Sequence, residues 1–200
     1  MRDEILKYLG YQKGAAVDNS TEVLINRALQ ELEELSEFKY VYASYDYPQN
    51  FMLAHPAYME YLHGSEGYLL CACTVGIGVD RRLKRLQMED MAYAVVFDAA
   101  AGVYVEHKAD EFEKSLPYPN LGFRFCPGYQ GTPLEDNLQI ARLVKANKIG
   151  ISFLDSGLMI PMKSMTGIVR IGGKGRKSCK GCVVAEACAH RRRGTTCYKS

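Results

Sequence analysis

Several features of membrane and secreted proteins are missing from this sequence of 200 residues. No apolar run approaches the roughly 18–20 residues that a membrane-spanning helix requires. The first twenty residues do not join a basic start to an apolar stretch, as a secretory signal does. Tryptophan is absent, but 48% hydrophobic and 24% charged residues are ordinary values for a folded protein. We therefore expect a cytoplasmic protein with a buried core and no membrane partner.

The net charge of +2 is unevenly distributed. From Arg170 to Ser200 there are nine Lys and Arg residues but one acid, Glu186, so this tail carries +8 while the rest of the chain carries −6. A basic tail on an acidic body is typical of contact with an acidic partner, a phosphate group or an anionic metal cluster.

Four of the seven cysteines lie in the same tail, at Cys179, Cys182, Cys188 and Cys197. Clustered cysteines in a cytosolic chain indicate metal binding or redox chemistry, and this spacing lets four thiolates surround one metal centre. The spacing leaves both zinc and an iron–sulfur cluster open, and His190 could replace one thiolate. The alternative is a basic tail whose cysteines are incidental.

Helix and strand patterns are mixed without regular β-α-β alternation, which predicts an α+β fold. Helices are predicted at 2–9, after an Asn19 cap, at 79–88, at 90–113 and from a Thr132 cap to Gly150; strands are predicted at 38–47, 68–75, 123–126, 151–161 and 166–171. Residues 48–67 are expected to be irregular. Cys71 and Cys73 alternate with apolar residues, which predicts small buried side chains.

A glycine pair, Gly76 and Gly78, follows the predicted strand at 68–75. Such a turn lets the backbone approach a cofactor in dinucleotide-binding folds, but Arg81 stands where their third glycine would be. The sequence therefore favours an ordinary tight turn over a cofactor site.

A second motif is the run Arg124-Phe125-Cys126-Pro127-Gly128-Tyr129 before the predicted helix. Arginine grips a carboxylate with two parallel hydrogen bonds, a Pro-Gly turn exposes backbone groups, and Tyr129 adds a ring and a hydroxyl. Together they suit a zwitterionic amino acid that carries a ring system. The alternative is a structural turn.

Glu106 lies one helical turn from Gly102 and two from Ala99, so its carboxylate is predicted to overlook a face of small residues. There it could hold a sulfonium or an ammonium group, and the same applies to Asp98. Otherwise both are solvated helix carboxylates.

These residues together resemble the activation (reactivation) domain of vitamin B12-dependent methionine synthase, and more closely its stand-alone bacterial form. The resemblance covers about residues 1–171 and includes the specific pattern R-x-x-P-G-Y at residues 124–129. Further matching runs lie at 74–80, 98–106, 154–161 and 164–167.

The resemblance implies an activation-domain-like α+β domain over residues 1–171, with a twisted antiparallel sheet and flanking helices, followed by the Cys-rich tail at 172–200. It implies binding of S-adenosylmethionine and an accessory role in methionine biosynthesis. Cob(II)alamin held by a methionine synthase that lacks this domain would be methylated reductively to methylcobalamin, with an electron from a flavodoxin- or ferredoxin-like donor. The chain would be a methyltransferase component that positions the methyl group and has no catalytic acid or base of its own.

The family's binding roles carry over to four residues. Arg124 matches the arginine that grips the ligand carboxylate, Cys126 matches a position that uses backbone groups, Tyr129 matches the tyrosine beside the ligand, and Glu106 matches the ligand-binding glutamate. The run at 130–133 departs from the family's Pro-Ala-Cys-Pro.

An iron–sulfur cluster in the tail would suit an electron-transfer role, whereas zinc would only be structural. Two other functions stay open: activation of a different corrinoid-dependent methyltransferase, and nucleic-acid binding through the basic tail. The acidic body and the lack of an aromatic platform in the tail argue against nucleic acid.

Overall fold

The computed structural model describes residues 1–12, 14–172 and 192. The helices are α1 (Arg2–Tyr8), α2 (Asn19–Leu35), α3 (Asn50–Leu53), α4 (Pro56–Leu62), α5 (Ile77–Glu89), α6 (Met91–Ser115) and α7 (Asp136–Leu143). The strands are β1 (Lys39–Tyr45), β2 (Gly67–Thr74), β3 (Ser152–Phe153), β4 (Met159–Ile160) and β5 (Ser164–Ile171). None of the described helices is both long and apolar enough to cross a membrane.

Three strands form a sheet in the order β1-β2-β5, and β3 pairs with β4 in an antiparallel hairpin. Strand β5 runs opposite to β2, because Glu66 donates its N–H to the carbonyl of Ile171 at one end while Val75 donates to that of Lys163 at the other. The predicted combination of helices with an antiparallel sheet is confirmed.

The chain folds into two compact units. The first contains Met1–Tyr40, Cys73–Ser115 and Asn147–Met165; the second contains Val41–Ala72, Leu116–Ala146 and the described residues from Thr166 onward. The predicted Cys-rich tail and its four cysteines lie outside the described residues, so the boundary between residues 171 and 172 stays a prediction.

The first unit is built around α6, which packs against α1, α2 and α5. Its side chains Phe97, Ala100 and Ala101 are fully buried in this core. At the edge of the core, Glu31 of α2 accepts two hydrogen bonds from Arg82 of α5, at 2.9 and 3.2 Å, and one of 2.9 Å from the Tyr93 hydroxyl of α6. A half-exposed ion pair of this kind adds modestly to stability, so the buried faces of the helices contribute most.

Gly76 and Gly78 make room for the chain that follows α2. A Cβ on Gly76 would lie 3.2 Å from the Cβ of Glu37, and one on Gly78 would lie 3.2 Å from the carbonyl oxygen of Leu35. Gly76 also has a φ of +87°, which side-chain-bearing residues rarely adopt. Close packing against this part of the chain thus explains why both positions are glycine. This agrees with the favoured interpretation of the pair as a tight turn.

Aromatic side chains fill the core of the second unit. The Tyr58 ring meets the Phe125 ring edge to face at 5.4 Å, and the Tyr61 ring lies 4.9 Å from Phe123 and 5.2 Å from Phe125. Cys71 is also buried there, and Cys73 is buried in the core of the first unit. The prediction that both cysteines are small core residues is confirmed.

Residues 48–67 were expected to be irregular, and that expectation is wrong. They contain α3 and α4, and α4 begins at Pro56, where a proline's fixed φ and missing N–H cost nothing. The single strand predicted at 151–161 is instead the β3–β4 hairpin, reversed at Gly157 with a φ of +82°.

Two predicted helix caps are also wrong. Asp18, not Asn19, caps α2, because its carboxylate accepts a 2.8 Å hydrogen bond from the N–H of Thr21. Thr132 does not begin a helix at all, since α7 starts at Asp136. The Thr132 hydroxyl instead bonds within the preceding turn.

Candidate functional site

The predicted binding motif begins on a short extended segment, residues 121–125, that pairs with β5. Phe125 and Ile168 exchange two backbone hydrogen bonds of 2.8 Å, and Gly122 donates its N–H to the carbonyl of Arg170 at 2.9 Å. The segment is therefore fixed to the strand by its backbone on both sides of Arg124.

In the pairing between this segment and β5, the segment has one more residue than the strand. Between the two bonded positions lie Phe123 and Arg124 on the segment, but only Val169 on β5. This is a β-bulge, a local feature that bends a strand and redirects its side chains, and that is frequent beside binding sites. The direction of Arg124 is thus set by the bulge.

Gly167 of β5 provides the surface on which the Arg124 side chain lies. A Cβ placed on Gly167 would be 2.4 Å from Cγ and 2.9 Å from Cδ of Arg124, closer than such atoms approach in proteins. The aliphatic stem of Arg124 therefore packs directly over the glycine backbone, and the residue is half-buried. A stem held in this way loses less rotamer freedom on binding a ligand.

The turn after the segment is closed by Thr132. The N–H of Gly128 donates to the carbonyl of Thr132 at 3.1 Å and to its hydroxyl oxygen at 3.0 Å, and that hydroxyl donates to the carbonyl of Tyr129 at 2.8 Å. Gly128, Gln130 and Gly131 all have positive φ values, of +94°, +52° and +78°. These short-range hydrogen bonds close the turn, and glycine supplies two of its three positive φ values without strain.

Tyr129 is displayed by this turn. Its residue is 58% exposed, and its ring lies 6.3 Å from the buried Phe125 ring. Its N–H donates to the carbonyl of the half-buried Cys126 at 3.3 Å. An exposed tyrosine and a half-buried arginine thus lie five residues apart in one short stretch of chain.

Tyr58 anchors the start of α7. Its hydroxyl donates a 2.9 Å hydrogen bond to the carboxylate of Asp136, and both residues are buried. Burial raises the pKa of Tyr58 well above its usual value, and the Asp136 carboxylate adds to the effect. Tyr58 is therefore a neutral donor at physiological pH, and its ring contact with Phe125 links this anchor to the motif.

The structure places Glu106 and Asp98 on α6, in the first unit, whereas Arg124, Cys126 and Tyr129 belong to the second. Glu106 is exposed. Asp98 pairs with Lys163, whose Nζ lies 2.8 Å from its carboxylate and donates to its backbone carbonyl at 3.1 Å. The predicted cation-binding carboxylate at 98 thus has a cation from its own chain.

Metal binding was predicted only for the tail. Across residues 1–12 and 14–172, no group of three or more His, Cys, Asp or Glu side chains is placed to hold a metal ion. The four tail cysteines, Cys179, Cys182, Cys188 and Cys197, lie outside the described residues, so their role stays a prediction.

Comparison with solved structures finds a similar fold. The chain is similar to the MetH reactivation domain bound to AdoHcy, with a TM-score of 0.61 and 15% sequence identity over 94% of this chain and 77% of that chain. No protein family model matches the chain, and no curated protein matches it. Structural similarity at 15% sequence identity shows the fold alone. The prediction that the chain has the fold of a reactivation domain is therefore confirmed.

Sequence reasoning did not find how three residues shape the motif: Tyr61 was not singled out, Gly167 was noted only within the matching run at 164–167, and Thr132 was predicted as a helix cap. Tyr61, Gly167 and Thr132 each hold the segment or its turn through contacts that carry no local signature. The departure from the family pattern at residues 130–133 was visible, but it suggested a helix cap and not a closed turn.

Proposed function

We propose that this chain binds S-adenosylmethionine through residues 124–129 and acts as an accessory component of a cobalamin-dependent methionine synthase. The observation that supports it best is the Arg124 stem packed over Gly167, five residues before the exposed Tyr129. The similar solved structure is named as a reactivation domain bound to AdoHcy, the demethylated form of that ligand.

The residues present fit the amino-acid half of such a ligand. The guanidinium of Arg124 is permanently charged and forked, which suits a carboxylate. Tyr129 offers a ring face to the apolar parts of the ligand and a hydroxyl that can donate or accept a hydrogen bond. Backbone groups at Cys126 are proposed to bond to the ligand as well, as the family resemblance implies.

Glu106 is proposed as the partner of the ligand's positive charge. Its side chain is exposed on α6, and a carboxylate attracts an ammonium or sulfonium group. This role is carried over to Glu106 from the family resemblance.

The proposed contribution of the chain to catalysis is positioning. When bound, S-adenosylmethionine supplies an electrophilic methyl group, and the cobalamin belongs to the partner enzyme. Arg124 and Tyr129 would hold the ligand in one orientation, which lowers the entropic barrier to methyl transfer without any acid or base from this chain. A flavodoxin- or ferredoxin-like donor would supply the electron that reduces cob(II)alamin. Methylation would then consume the reduced cobalamin and so favour the reduction.

The Cys-rich tail is proposed to hold an iron–sulfur cluster, with zinc as the alternative. Four cysteines in 19 residues and the basic residues around them fit an anionic centre, whose charge they would offset. Anaerobic purification followed by an absorption spectrum and metal analysis distinguishes the two: a brown iron protein supports electron transfer, and a colourless zinc protein limits the tail to a structural role.

Ligand binding is tested by calorimetric titration of the whole chain with AdoHcy. We expect Arg124→Ala to weaken binding at least tenfold, because one charge-assisted contact is lost. Arg142→Ala removes an exposed arginine from the same unit and serves as the control. Equal affinities for the unaltered chain and Arg124→Ala would refute the proposed site.

The client enzyme is tested separately by reconstitution. Cob(II)alamin-loaded methionine synthase without its own activation domain should regain activity only when this chain, S-adenosylmethionine and a reductant are all present. Recovery of a different corrinoid-dependent methyltransferase, and not of methionine synthase, would assign the chain to that second client.

A further inference from the structure

We infer that Tyr61 is a positioning residue for Arg124, because its hydroxyl maintains the bulge from which Arg124 projects. This inference rests on the proposed function, since Arg124 is the residue expected to hold the ligand carboxylate. The residues involved, at positions 61, 122–125 and 167–170, all belong to the second unit.

The Tyr61 hydroxyl stands in the place of a strand-to-strand hydrogen bond. In a regular antiparallel pair, Gly122 and Arg170 would exchange two backbone bonds, but only the bond from Gly122 to Arg170 is direct. The N–H of Arg170 donates instead to the Tyr61 hydroxyl at 3.1 Å, and that hydroxyl donates to the carbonyl of Phe123. One side-chain oxygen therefore bridges the two backbones where the extra residue is accommodated.

Tyr61 is also held firmly enough to act as a fixed part of the pairing. The residue is 7% exposed, its ring packs against Phe123 and Phe125, and its own carbonyl accepts a 3.1 Å hydrogen bond from the Arg170 guanidinium. The buried N–H of Arg170 and the carbonyl of the half-buried Phe123 both bond to its hydroxyl.

Arg124 follows Phe123 directly, so the Phe123 carbonyl belongs to the peptide that leads into Arg124. Without the Tyr61 hydroxyl, that peptide and the Arg170 N–H would lose the bond that bridges them. A direct bond between the two backbones here would need a shift in their pairing, and a one-residue shift in a strand turns each side chain to the other face. Arg124 would leave its place over Gly167.

The test uses Tyr61→Phe in the whole chain, with Tyr68→Phe as the matched control. Tyr68 is likewise buried in the second unit and donates its hydroxyl to a backbone carbonyl, that of Tyr47 at 2.9 Å. Both variants lose one buried hydroxyl, so both lose stability, but only the first lies at the bulge.

Two measurements are made on each variant. The first, without ligand, is the NMR signal of the Arg124 side-chain Nε–H, assigned by its absence in Arg124→Ala; it should shift in Tyr61→Phe and stay in place in Tyr68→Phe. The second is titration with AdoHcy, where we expect Tyr61→Phe to bind about tenfold more weakly and Tyr68→Phe to bind as the unaltered chain does.

The possible failures are distinguishable. If Arg124→Ala weakens AdoHcy binding but Tyr61→Phe does not, this inference is overturned and the proposed site stands. If the unaltered chain does not bind AdoHcy, the proposed function and the ligand-holding part of the inference both fail. If Tyr61→Phe does not fold, hydrogen exchange of the backbone amides in the unaltered chain tests the bridging bond instead. Rapid exchange at the Arg170 N–H would contradict the bond, and protection equal to that of the Ile168 N–H would support it.

Discussion

Replacing Gly167 by alanine is the most direct way to displace Arg124 without touching it. The new Cβ would lie 2.4 Å from Cγ of Arg124, whereas carbon atoms in contact are normally separated by about 3.5–4 Å. The arginine stem must therefore move by more than about 1 Å. Gly167 is not among the residues with positive φ, so alanine is compatible with its backbone.

Two quantities follow for Gly167→Ala. Forcing a methyl group into a packed site lowers the free energy of unfolding by about 1–3 kcal/mol. Loss of a hydrogen-bonded charge contact with the ligand costs about 1.5–3 kcal/mol, which corresponds to an AdoHcy affinity about 10- to 100-fold weaker. Urea unfolding measures the first and calorimetric titration the second.

Gly67→Ala is the matched control for this experiment. Gly67 is also a strand glycine of the second unit, and its Cβ would lie 3.1 Å from the carbonyl oxygen of Tyr45. It should cost stability without weakening AdoHcy binding. Unchanged affinity in Gly167→Ala, or an equal loss in both variants, would refute the account of how Arg124 is placed.

Three further outcomes are expected. Tyr58→Phe leaves the Asp136 carboxylate buried without its 2.9 Å donor, and urea unfolding should show a loss of about 1–3 kcal/mol; an unchanged midpoint would contradict this. Hydrogen bonds from Ser20 and Thr21 lower the pKa of Asp18 far below its usual 3.8, so the stability that Asp18 adds is fully present above about pH 4 and declines progressively as the pH falls below that toward the lowered pKa of the folded state. The thermal unfolding deficit of Asp18→Ala should therefore be larger at pH 7 than at pH 2.5, and an equal deficit at both would refute the cap. Treatment with a chelator, aimed at the metal proposed for the tail, should leave thermal unfolding and AdoHcy affinity unchanged, since no group of described side chains is placed to hold a metal ion; loss of either would show that a bound metal supports the fold.

The long helices could be predicted because their signal is local. α5 and α6 begin and end within two residues of the predicted positions. α5 has a buried stripe that includes Val79, Leu83 and Leu86, whereas α6 is recognisable from a long run of apolar and small residues that are buried around much of the helix. The four residues of α3 and the seven of α4 are too few for such a repeat. Only Pro56 at the first position of α4 offered a cue.

The candidate site could be predicted only where its functional residues are close together in the sequence. The pattern from Arg124 to Tyr129 points to a carboxylate-binding arginine and a nearby ring, whatever holds them. Their supports, Tyr61 and Gly167, are far away in sequence and become relevant only through strand pairing.

Thr132 shows how a correct local rule can give a wrong structure. Threonine followed by proline and an acid is typical of a helix start, because the hydroxyl can cap the first free N–H groups. Here the same hydroxyl bonds to Tyr129 and Gly128 on its N-terminal side. Nothing in the local sequence distinguishes these two uses of one oxygen atom.

Each unit consists of three separated stretches, so the polypeptide passes from one to the other five times. Three of these passages fall inside β1, β2 and β5, not in loops. No contiguous fragment of the chain therefore contains the whole of one unit without part of the other. Recombination between the genes of distant relatives would have to exchange both units together. The segment that carries Arg124 and helix α6 would then be inherited as one piece.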